Sequence, residues 1–365
     1  MSFLYVGKGI PNYLQYEMDS AQGAGSGIIQ RKGNIMAESP LLEVHELVKH
    51  FSLGGGLLKK PHLWVKAING VSFKVRRGES FGIVGESGCG KTTLGRLIIG
   101  LIKPSSGRIE FDGHNLSELS NNEMRSVRRR MQIIFQDPYS SLDPRMKVVS
   151  IITESMRAAR NVSRNNRRDT ATGLLKRVGL RPEDLDKYPH EFSGGQRQRI
   201  GIARSLCMRP ELIVADEPVS ALDVSIQAQV INLMEELKED FNFSYIFISH
   251  DLSVVNHVCN RIAVMYLGSI VELAPNNNFA IEPRHPYTRA LLAAVPHPDP
   301  HKRDKPSPME GDVSSPIDLP SGCTFHPRCQ YTFDKCKKAN PPLLQVAPDH
   351  YVACWLNQGR GVQDS

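Results

Sequence analysis

The chain has 365 residues, of which 40% are hydrophobic and 23% are charged, and its formal net charge is +7. This ordinary composition excludes a low-complexity chain, and the length suffices for a full α/β nucleotide-binding domain with one smaller unit. No stretch approaches the roughly 20 apolar residues of a membrane-spanning helix, and residues 1–34 lack the basic start and apolar run of a secretory signal. Any membrane that the protein serves must therefore be crossed by a separate chain.

Residues 1–39 are rich in Gly, Ser and Gln and show no periodic apolar pattern. This composition predicts a flexible N-terminal tail. A second methionine, Met36, stands just before the ordered pattern begins. Both a functional arm and an over-extended start are compatible with this segment.

From Leu41 onward, short apolar runs alternate with segments of helical spacing. The runs predict strands at residues 71–75, 81–84, 109–111, 132–135, 212–215, 245–248 and 262–266. This alternation predicts an α/β domain over residues 40–275, with a parallel sheet covered by helices. Charged segments of helical spacing predict a helical subdomain at about 137–204. Prolines then punctuate a separate C-terminal extension over residues 276–365.

A glycine-rich loop between a predicted strand and a predicted helix fits the P-loop pattern. Its residues are Gly85, Glu86, Ser87, Gly88, Cys89, Gly90, Lys91 and Thr92, with Thr93 following in the helix. The glycines let backbone N–H groups turn towards phosphates, and the helix start adds partial positive charge. Lys91 can reach the terminal phosphates and the Thr92 hydroxyl can bind Mg²⁺. The loop therefore predicts binding of ATP with Mg²⁺.

Polar side chains stand at the ends of three predicted strands, where ligands bind in open α/β sheets. Asp216 and Glu217 close a buried apolar run, while Gln136 and His250 follow two other strands. We expect Asp216 and Thr92 to bind Mg²⁺ directly or through its waters, and Gln136 to contact Mg²⁺ or the attacking water. Glu217 is expected to orient and deprotonate the attacking water, and His250 to meet the γ-phosphate.

A basic run in a predicted helix consists of Arg125, Arg128, Arg129 and Arg130. The run has no interleaved aromatic side chains on which bases would stack. We therefore interpret it as a solvated helix face and expect no nucleic-acid partner.

A second anion-binding helix start is formed by Ser193, Gly194, Gly195 and Gln196. One nucleotide needs only one P-loop, so a second phosphate site indicates a different role. The segment resembles the signature motif of ABC ATPases, which closes over the γ-phosphate of ATP held by the opposite subunit of a head-to-tail dimer. The resemblance implies a P-loop (RecA-like) core with an antiparallel β subdomain and a helical subdomain.

Other residues match motifs of the same family by position. Gln136 matches the Q-loop, Asp216 and Glu217 the Walker B pair, and His250 the switch histidine. Phe51 matches the aromatic residue that stacks on adenine, and an ordinary core phenylalanine is the alternative.

Residues 135–145 and 284–288 and the cysteine-bearing extension are similar to the dipeptide/oligopeptide importer subgroup of ABC ATPases. The resemblance implies an ATP-hydrolysing subunit, peripheral at the cytoplasmic face of the cell membrane, that energises import of di- or oligopeptides. Its implied partners are a second, related ATPase subunit, two transmembrane permease subunits and an extracytoplasmic peptide-binding protein.

The sequence allows three alternative functions. One is an importer ATPase for another substrate, such as nickel or glycosides. Another is a soluble ABC ATPase acting in translation or DNA repair, although such proteins typically carry two ATPase units or a long coiled coil. The third is an iron-responsive regulator whose ATPase activity is secondary.

Four of the seven cysteines lie in the extension: Cys323, Cys329, Cys336 and Cys354. Disulfides fit poorly with ATP chemistry in a reducing cytosol. Four free structural thiols are a second possibility, against which their clustering in a core-poor segment argues, whereas a metal would staple a loop-rich segment. Four thiolates suit zinc or an iron–sulfur cluster equally well by number, and His326 and His350 are alternative ligands. The resemblance to the peptide-importer family implies a [4Fe–4S] cluster, with zinc as the alternative.

Overall fold

The computed structural model describes residues 39–53, 63–157, 163–294, 312 and 314–357. The predicted N-terminal tail lies outside the described residues, apart from residue 39. The strands are β1 (Leu42–Leu53), β2 (Leu63–Val75), β3 (Ser80–Val84), β4 (Ser106–Phe111), β5 (His114–Asn115), β6 (Met131–Ile134), β7 (Leu212–Asp216), β8 (Ser244–Ser249), β9 (Arg261–Tyr266), β10 (Ser269–Pro275), β11 (Leu344–Ala347) and β12 (His350–Val352).

The α-helices are α1 (Lys91–Ile98), α2 (Asn121–Arg130), α3 (Val148–Ile152), α4 (Glu154–Arg157), α5 (Arg164–Arg177), α6 (Gly194–Leu206), α7 (Val224–Phe241), α8 (Leu252–Val258), α9 (Asn276–Ile281), α10 (Pro286–Ala293) and α11 (Asp334–Lys338). Short 3₁₀ helices cover Pro182–Asp186, Pro189–Glu191, His326–Arg328 and Trp355–Asn357. Within the described ranges, no helix is long and apolar enough to cross a bilayer.

Two sheets organise the strands. The larger sheet has the order β11-β12-β10-β9-β3-β8-β7-β6. Strands β9, β3, β8, β7 and β6 run parallel, and β10, β12 and β11 continue the sheet antiparallel. The smaller sheet is antiparallel, with the order β2-β1-β4-β5. The predicted fold class, a parallel α/β core with an antiparallel β subdomain, is confirmed.

The predicted strand at 132–135 is wrong by one residue, because β6 spans Met131–Ile134. Its hydrogen-bonded register with β7 ends where Ile134 pairs with Ala215. Phe135 and Gln136 therefore belong to the loop that follows the strand, and Gln136 is exposed.

The core lies on both faces of the larger sheet, as the continuous apolar runs of its parallel strands require. Ile213 and Ala215 of β7 pack into one buried cluster with Ile200 of α6. Val214, on the opposite face, packs into a second cluster with Leu94 of α1 and residues of the antiparallel sheet. Alternate residues of one strand thus hold the helical layer and the β layer in place.

The basic run lies on α2, as predicted. Arg125, Arg128 and Arg129 are exposed, which agrees with a solvated helix face. Arg130 differs, because it is half-buried and its Nη2 donates to Glu211 Oε2 at 3.0 Å. This last residue of the run therefore holds α2 to the start of β7.

The C-terminal extension is joined to the larger sheet. Strand β12 pairs with β10, where Leu273 lies opposite Tyr351. The buried Glu272 carboxylate accepts a hydrogen bond from His350 Nε2 at 2.7 Å. Phe325 of the extension packs into the same buried cluster as β7 and α6. Apolar burial and a buried polar pair therefore fix the extension against the nucleotide-binding core.

Candidate functional site

The loop between β3 and α1 has the geometry of a phosphate cradle. Gly90, the N-cap of α1, has a φ of 107°, and a Cβ there would lie 2.3 Å from the carbonyl oxygen of Ala67. Only glycine fits this position without strain. The buried Lys91 ammonium donates to the carbonyl oxygens of Gly85 at 2.7 Å and Glu86 at 3.0 Å. The loop therefore curls around the lysine at a helix start, where anions bind.

A cavity of about 770 Å³ opens over this loop. Its volume is in the range of small-molecule sites. The cavity brings together most of the predicted ATP-site residues: Phe51, Ser87, Gly88, Gly90, Lys91, Thr92, Thr93, Gln136, Glu217 and His250. Of the other predicted residues, Asp216 lies directly behind Thr92, while Gly85, Glu86 and Cys89 form the loop itself.

Phe51 stands on the cavity wall with Val65, Ala67 and Pro316. The alternative of an ordinary core phenylalanine is wrong, because the residue is 39% exposed. Its position on β1 fits a stacking surface for a flat ring, and adenine stacking stays a prediction.

Two side chains converge on one carboxylate oxygen of Glu217. Gln136 Nε2 donates to Glu217 Oε2 at 2.9 Å, and His250 Nδ1 lies 3.2 Å from the same atom. The backbone of Glu217 has a φ of 47°, a conformation that non-glycine residues rarely adopt. Its N–H donates to the carbonyl oxygen of Ile248 at 2.9 Å, which holds the turn. Strain of this kind is typical of functional sites, and no sequence pattern signalled it.

Asp216 is buried at the end of β7 and is 3% exposed. Burial raises the pKa of its carboxyl, the nearby Glu217 adds to the rise, and a hydrogen bond from Thr92 Oγ1 at 3.1 Å opposes it. A cation beside this carboxylate would favour its ionised form. The oxygens of Asp216 and Thr92 are the hard ligands that Mg²⁺ prefers, so this pair fits a magnesium ion.

The predicted signature residues lie at the start of α6, and none of them lines the cavity. Ser193 Oγ accepts from the Gln196 N–H, and Gln196 Oε1 accepts from the Ser193 N–H at 3.0 Å. Ser193 and Gln196 are exposed. At Gly195 a Cβ would lie 2.6 Å from Ile226 Cγ2, so the close contact between α6 and α7 favours glycine there. The motif thus presents an outward-facing helix start.

The four cysteines of the extension are close to one another but do not form a recognisable metal site. Burial, with smaller contributions from the neighbouring thiols of Cys336, Cys354 and Cys329, raises the pKa of Cys323 to about 11. All four are free thiols. Among the described residues, no group of three or more His, Cys, Asp or Glu side chains is arranged to hold a metal ion.

The two alternative histidine ligands already have partners. His350 Nε2 bonds to the buried Glu272, and His326 Nδ1 lies 2.9 Å from the carbonyl oxygen of Cys323. Each of these bonds engages one ring nitrogen and leaves the other, so the candidate metal donors are the four thiols and the two histidines. By its chemistry this set suits zinc or an iron–sulfur cluster.

Three residues of the C-terminal part contact the P-loop or the cavity wall, and the sequence alone assigns none of them to the site. The Tyr287 hydroxyl accepts from the Glu86 N–H at 3.0 Å. Arg328 donates to the Glu86 carboxylate. Pro316 lies on the cavity wall, where its carbonyl oxygen accepts from the Lys66 N–H at 2.9 Å. These contacts span 200 residues or more, so no local pattern could have found them.

Two family models match the chain. Residues 68–220 match the ABC transporter family, and residues 271–336 match the C-terminal region of oligopeptide/dipeptide transporters. A Sinorhizobium fredii protein named as a peptide ABC transporter ATP-binding protein is 51% identical over 86% of this chain and 89% of its own length. The oligopeptide transport ATP-binding protein AppF of Bacillus subtilis is 50% identical over 87% of this chain and 98% of its own length.

Solved structures of ABC proteins also align with this chain. The dimeric ATP-binding cassette MJ0796, in a post-hydrolysis state bound to ADP and Pi, aligns with a TM-score of 0.57 and 26% identity, over 64% of this chain and 98% of its own. CbiO1 of Clostridium perfringens, part of the ABC transporter complex cbiONQ, aligns with a TM-score of 0.57 and 28% identity, over 67% of this chain and 91% of its own.

Proposed function

Because this chain belongs to the ABC transporter ATP-binding proteins, we propose that it energises import of di- or oligopeptides through a membrane transporter. The ATPase part of this proposal is carried by one observation, the convergence of Gln136 and His250 on a single oxygen of Glu217 beside the P-loop. The peptide part is supported by the matching C-terminal region and by the names of the relatives.

The proposed reaction uses the residues of the cavity wall in distinct roles. The P-loop N–H groups and Lys91 bind the phosphates, and Phe51 stacks on adenine. The Glu217 carboxylate takes a proton from the attacking water, whose oxygen bonds to the γ-phosphorus as the bond to the β–γ bridging oxygen breaks. Gln136 and His250 hold that carboxylate in place, and the products are ADP and phosphate.

Thr92, Asp216 and Gln136 are proposed to hold Mg²⁺ directly or through its waters. When bound, the ion would neutralise charge on the phosphate oxygens. The buried carboxyl of Asp216, whose oxygen accepts from Thr92 Oγ1 at 3.1 Å, lies where such an ion would favour its ionised form.

A second subunit is proposed to complete the site. The outward-facing start of α6, with Ser193, Gly194, Gly195 and Gln196, supports a role on the ATP of the opposite subunit, since these residues do not line the cavity of their own chain. We propose a related ATPase chain as partner, with two transmembrane permease subunits and an extracytoplasmic peptide-binding protein. The division into residues 40–275 for the ATPase and 276–365 for the extension belongs to the same proposal.

Glu217→Gln tests the reaction. The amide keeps the shape of the side chain but cannot take a proton, so kcat should fall about 100- to 10,000-fold while ATP binding persists. A matched control is Glu235→Gln, because Glu235 also faces a histidine, His257, at 3.8 Å but lies away from the cavity. Phosphate release and retained nucleotide are measured for both. Undiminished hydrolysis by Glu217→Gln would remove Glu217 as the base.

Purification with its natural partners tests the transport function and the location at the cytoplasmic membrane face. The proposal expects permease subunits and peptide-stimulated ATPase activity in the purified complex. Stimulation of the ATPase activity by nickel or a glycoside, and not by peptides, would assign that compound as the substrate. Recovery with ribosomes or nucleic acid alone would contradict the transporter assignment.

We also propose that Cys323, Cys329, Cys336 and Cys354 hold a [4Fe–4S] cluster, with zinc as the alternative. The mutual proximity of the four thiols supports a four-thiolate set. Anaerobic purification with visible absorption spectra and metal analysis separates the two cofactors. If the protein is colourless and contains zinc, zinc replaces the cluster as the cofactor. If removal of metal leaves the stability of the protein unchanged, both cofactors are contradicted.

A further inference from the structure

Arg328 of the C-terminal extension forms a two-pronged ion pair with Glu86 of the P-loop. Its Nη1 donates to Glu86 Oε2 at 2.9 Å and its Nη2 to Oε1 at 3.2 Å. The Arg328 side chain is 7% exposed and that of Glu86 is 23% exposed. A guanidinium fork on a carboxylate in such a partly buried setting is stronger and more specific than a surface ion pair.

An aromatic cluster fixes the position of Arg328. Its guanidinium carbon lies 6.0 Å from the centroid of the Tyr266 ring, at the end of β9. Tyr266 in turn packs against Tyr287 at 4.7 Å and Phe325 at 5.2 Å between ring centroids. The arginine is therefore held by the core, and its charge is aimed at the loop by rigid neighbours.

The backbone groups of Glu86 have partners as well as its carboxylate. Its N–H donates to the Tyr287 hydroxyl at 3.0 Å, and its carbonyl oxygen accepts from Lys91 Nζ at 3.0 Å. Glu86 directly precedes Ser87, which lines the cavity. A carboxylate at this point lies next to the place where the loop binds phosphates, so without a counter-charge it would repel them.

We propose that Arg328 is a positioning residue of the nucleotide site, which acts through Glu86 by cancelling its charge beside the phosphates. The inference rests on the ATP site proposed above. Arg328 does not line the cavity, so it is not expected to touch the nucleotide. The extension thereby contributes to the affinity of the ATPase for ATP.

This role affects binding more than chemistry. The charge of Glu86 acts on the triphosphate as soon as it binds, whereas the hydrolytic residues Glu217, Gln136 and His250 follow the ends of other strands. Loss of Arg328 should therefore raise the KM for ATP and leave kcat nearly unchanged.

The test compares four variants of the full chain by equilibrium binding of MgATP: Arg328→Gln, Arg328→Lys, Glu86→Gln and the double variant Glu86→Gln/Arg328→Gln. Arg328→Gln should weaken binding about three- to tenfold, because it leaves the carboxylate uncompensated. Arg328→Lys keeps the charge and should retain most of the affinity. The double variant removes both charges and should bind within about twofold of the unaltered protein.

A matched control is Arg168→Gln, which breaks another two-pronged arginine–carboxylate pair, with Asp186, away from the cavity. It should leave ATP affinity unchanged.

Affinity of Arg328→Gln equal to that of the unaltered protein would overturn the inference, and so would a double variant as weak as Arg328→Gln. If Arg328→Gln does not fold, the double variant and Arg328→Lys still test the proposal. Tenfold weaker binding of MgATP by either one, relative to the unaltered protein, would contradict charge compensation. Failure of the unaltered protein to bind ATP would instead overturn the proposed function itself, together with this inference.

Discussion

A buried histidine makes the stability of the extension depend on pH. His285, the N-cap of α10, is 1% exposed, and its Nδ1 accepts a hydrogen bond from the Tyr287 N–H at 3.1 Å. Burial lowers its pKa from 6.5 to about 4, against an opposing effect of Glu272 and with a small contribution from Arg289. The native protein therefore keeps this imidazole neutral at pH values where the unfolded chain protonates it.

The sign and size of the effect follow from the two pKa values. Between them the unfolded state binds more protons, so the free energy of unfolding is highest above pH 6.5 and falls as the pH approaches 4. Integration gives a loss of about 2 kcal/mol between about pH 7.5 and about pH 5. The buried Glu272 contributes to the pH dependence of the free energy of unfolding below this pH window. Burial acts to raise its pKa, but bonds from His350, Thr288 and two backbone N–H groups outweigh burial and lower it from 4.5.

His285→Asn isolates this effect, because asparagine keeps an N-cap acceptor but does not titrate. Urea unfolding of both proteins at about pH 7.5 and about pH 5 should show that the variant loses about 2 kcal/mol less than the unaltered protein. The exposed His114 provides a control, since His114→Asn should leave the pH dependence unchanged. Equal losses in the unaltered protein and His285→Asn would refute the reasoning.

Three further changes address the nucleotide site. His250→Ala should lower kcat about tenfold or more and leave ATP affinity intact, because the base Glu217 loses one of its two side-chain contacts; weaker ATP binding with normal kcat would contradict this. Asp216→Asn should leave the nucleotide-free protein at least as stable as the unaltered protein, since it removes a buried carboxylate whose pKa is raised by burial; thermal unfolding checks this. ATP binding by the same variant should lose its dependence on Mg²⁺, which titration with and without Mg²⁺ checks. Gly90→Ala should destabilise the fold by about 2 kcal/mol or more in urea unfolding, because a Cβ at this positive φ meets the backbone of Ala67; an unchanged midpoint would contradict the strain.

The parts of the site that sequence could predict are those in which a few neighbouring residues carry the chemistry. The P-loop glycines with Lys91, and the acidic pair at the end of β7, act through local backbone geometry. Their spacing in the sequence is therefore sufficient to predict their roles. The sequence predicts that Gln136 and His250 lie at the carboxyl ends of strands, and the parallel pairing of β6, β7 and β8 brings these ends together. Their convergence on one oxygen of Glu217 depends on side-chain geometry that the sequence pattern does not specify.

Other features depend on contacts between distant residues, which a single sequence does not reveal. Arg328 and Glu86 are 242 residues apart, and Pro316 reaches the cavity only because its segment bonds to β2. The residues after Pro275 are punctuated by prolines, yet Tyr287 and Phe325 are buried in the same cluster as strands of the core. These two aromatic side chains obtain their burial from the ATPase domain, so the composition of the extension understates their packing.

The pairing of β12 with β10 also protects the protein from self-association. Without residues 344–352, the buried strand β10 would form the edge of the larger sheet and offer unpaired backbone groups to other chains. The strand that takes the edge position instead, β11, has four residues and is flanked by Pro341, Pro342 and Pro348. A short strand between prolines is a poor template for further β-pairing. Truncation before β11 should therefore promote aggregation, even if the nucleotide cavity remains whole.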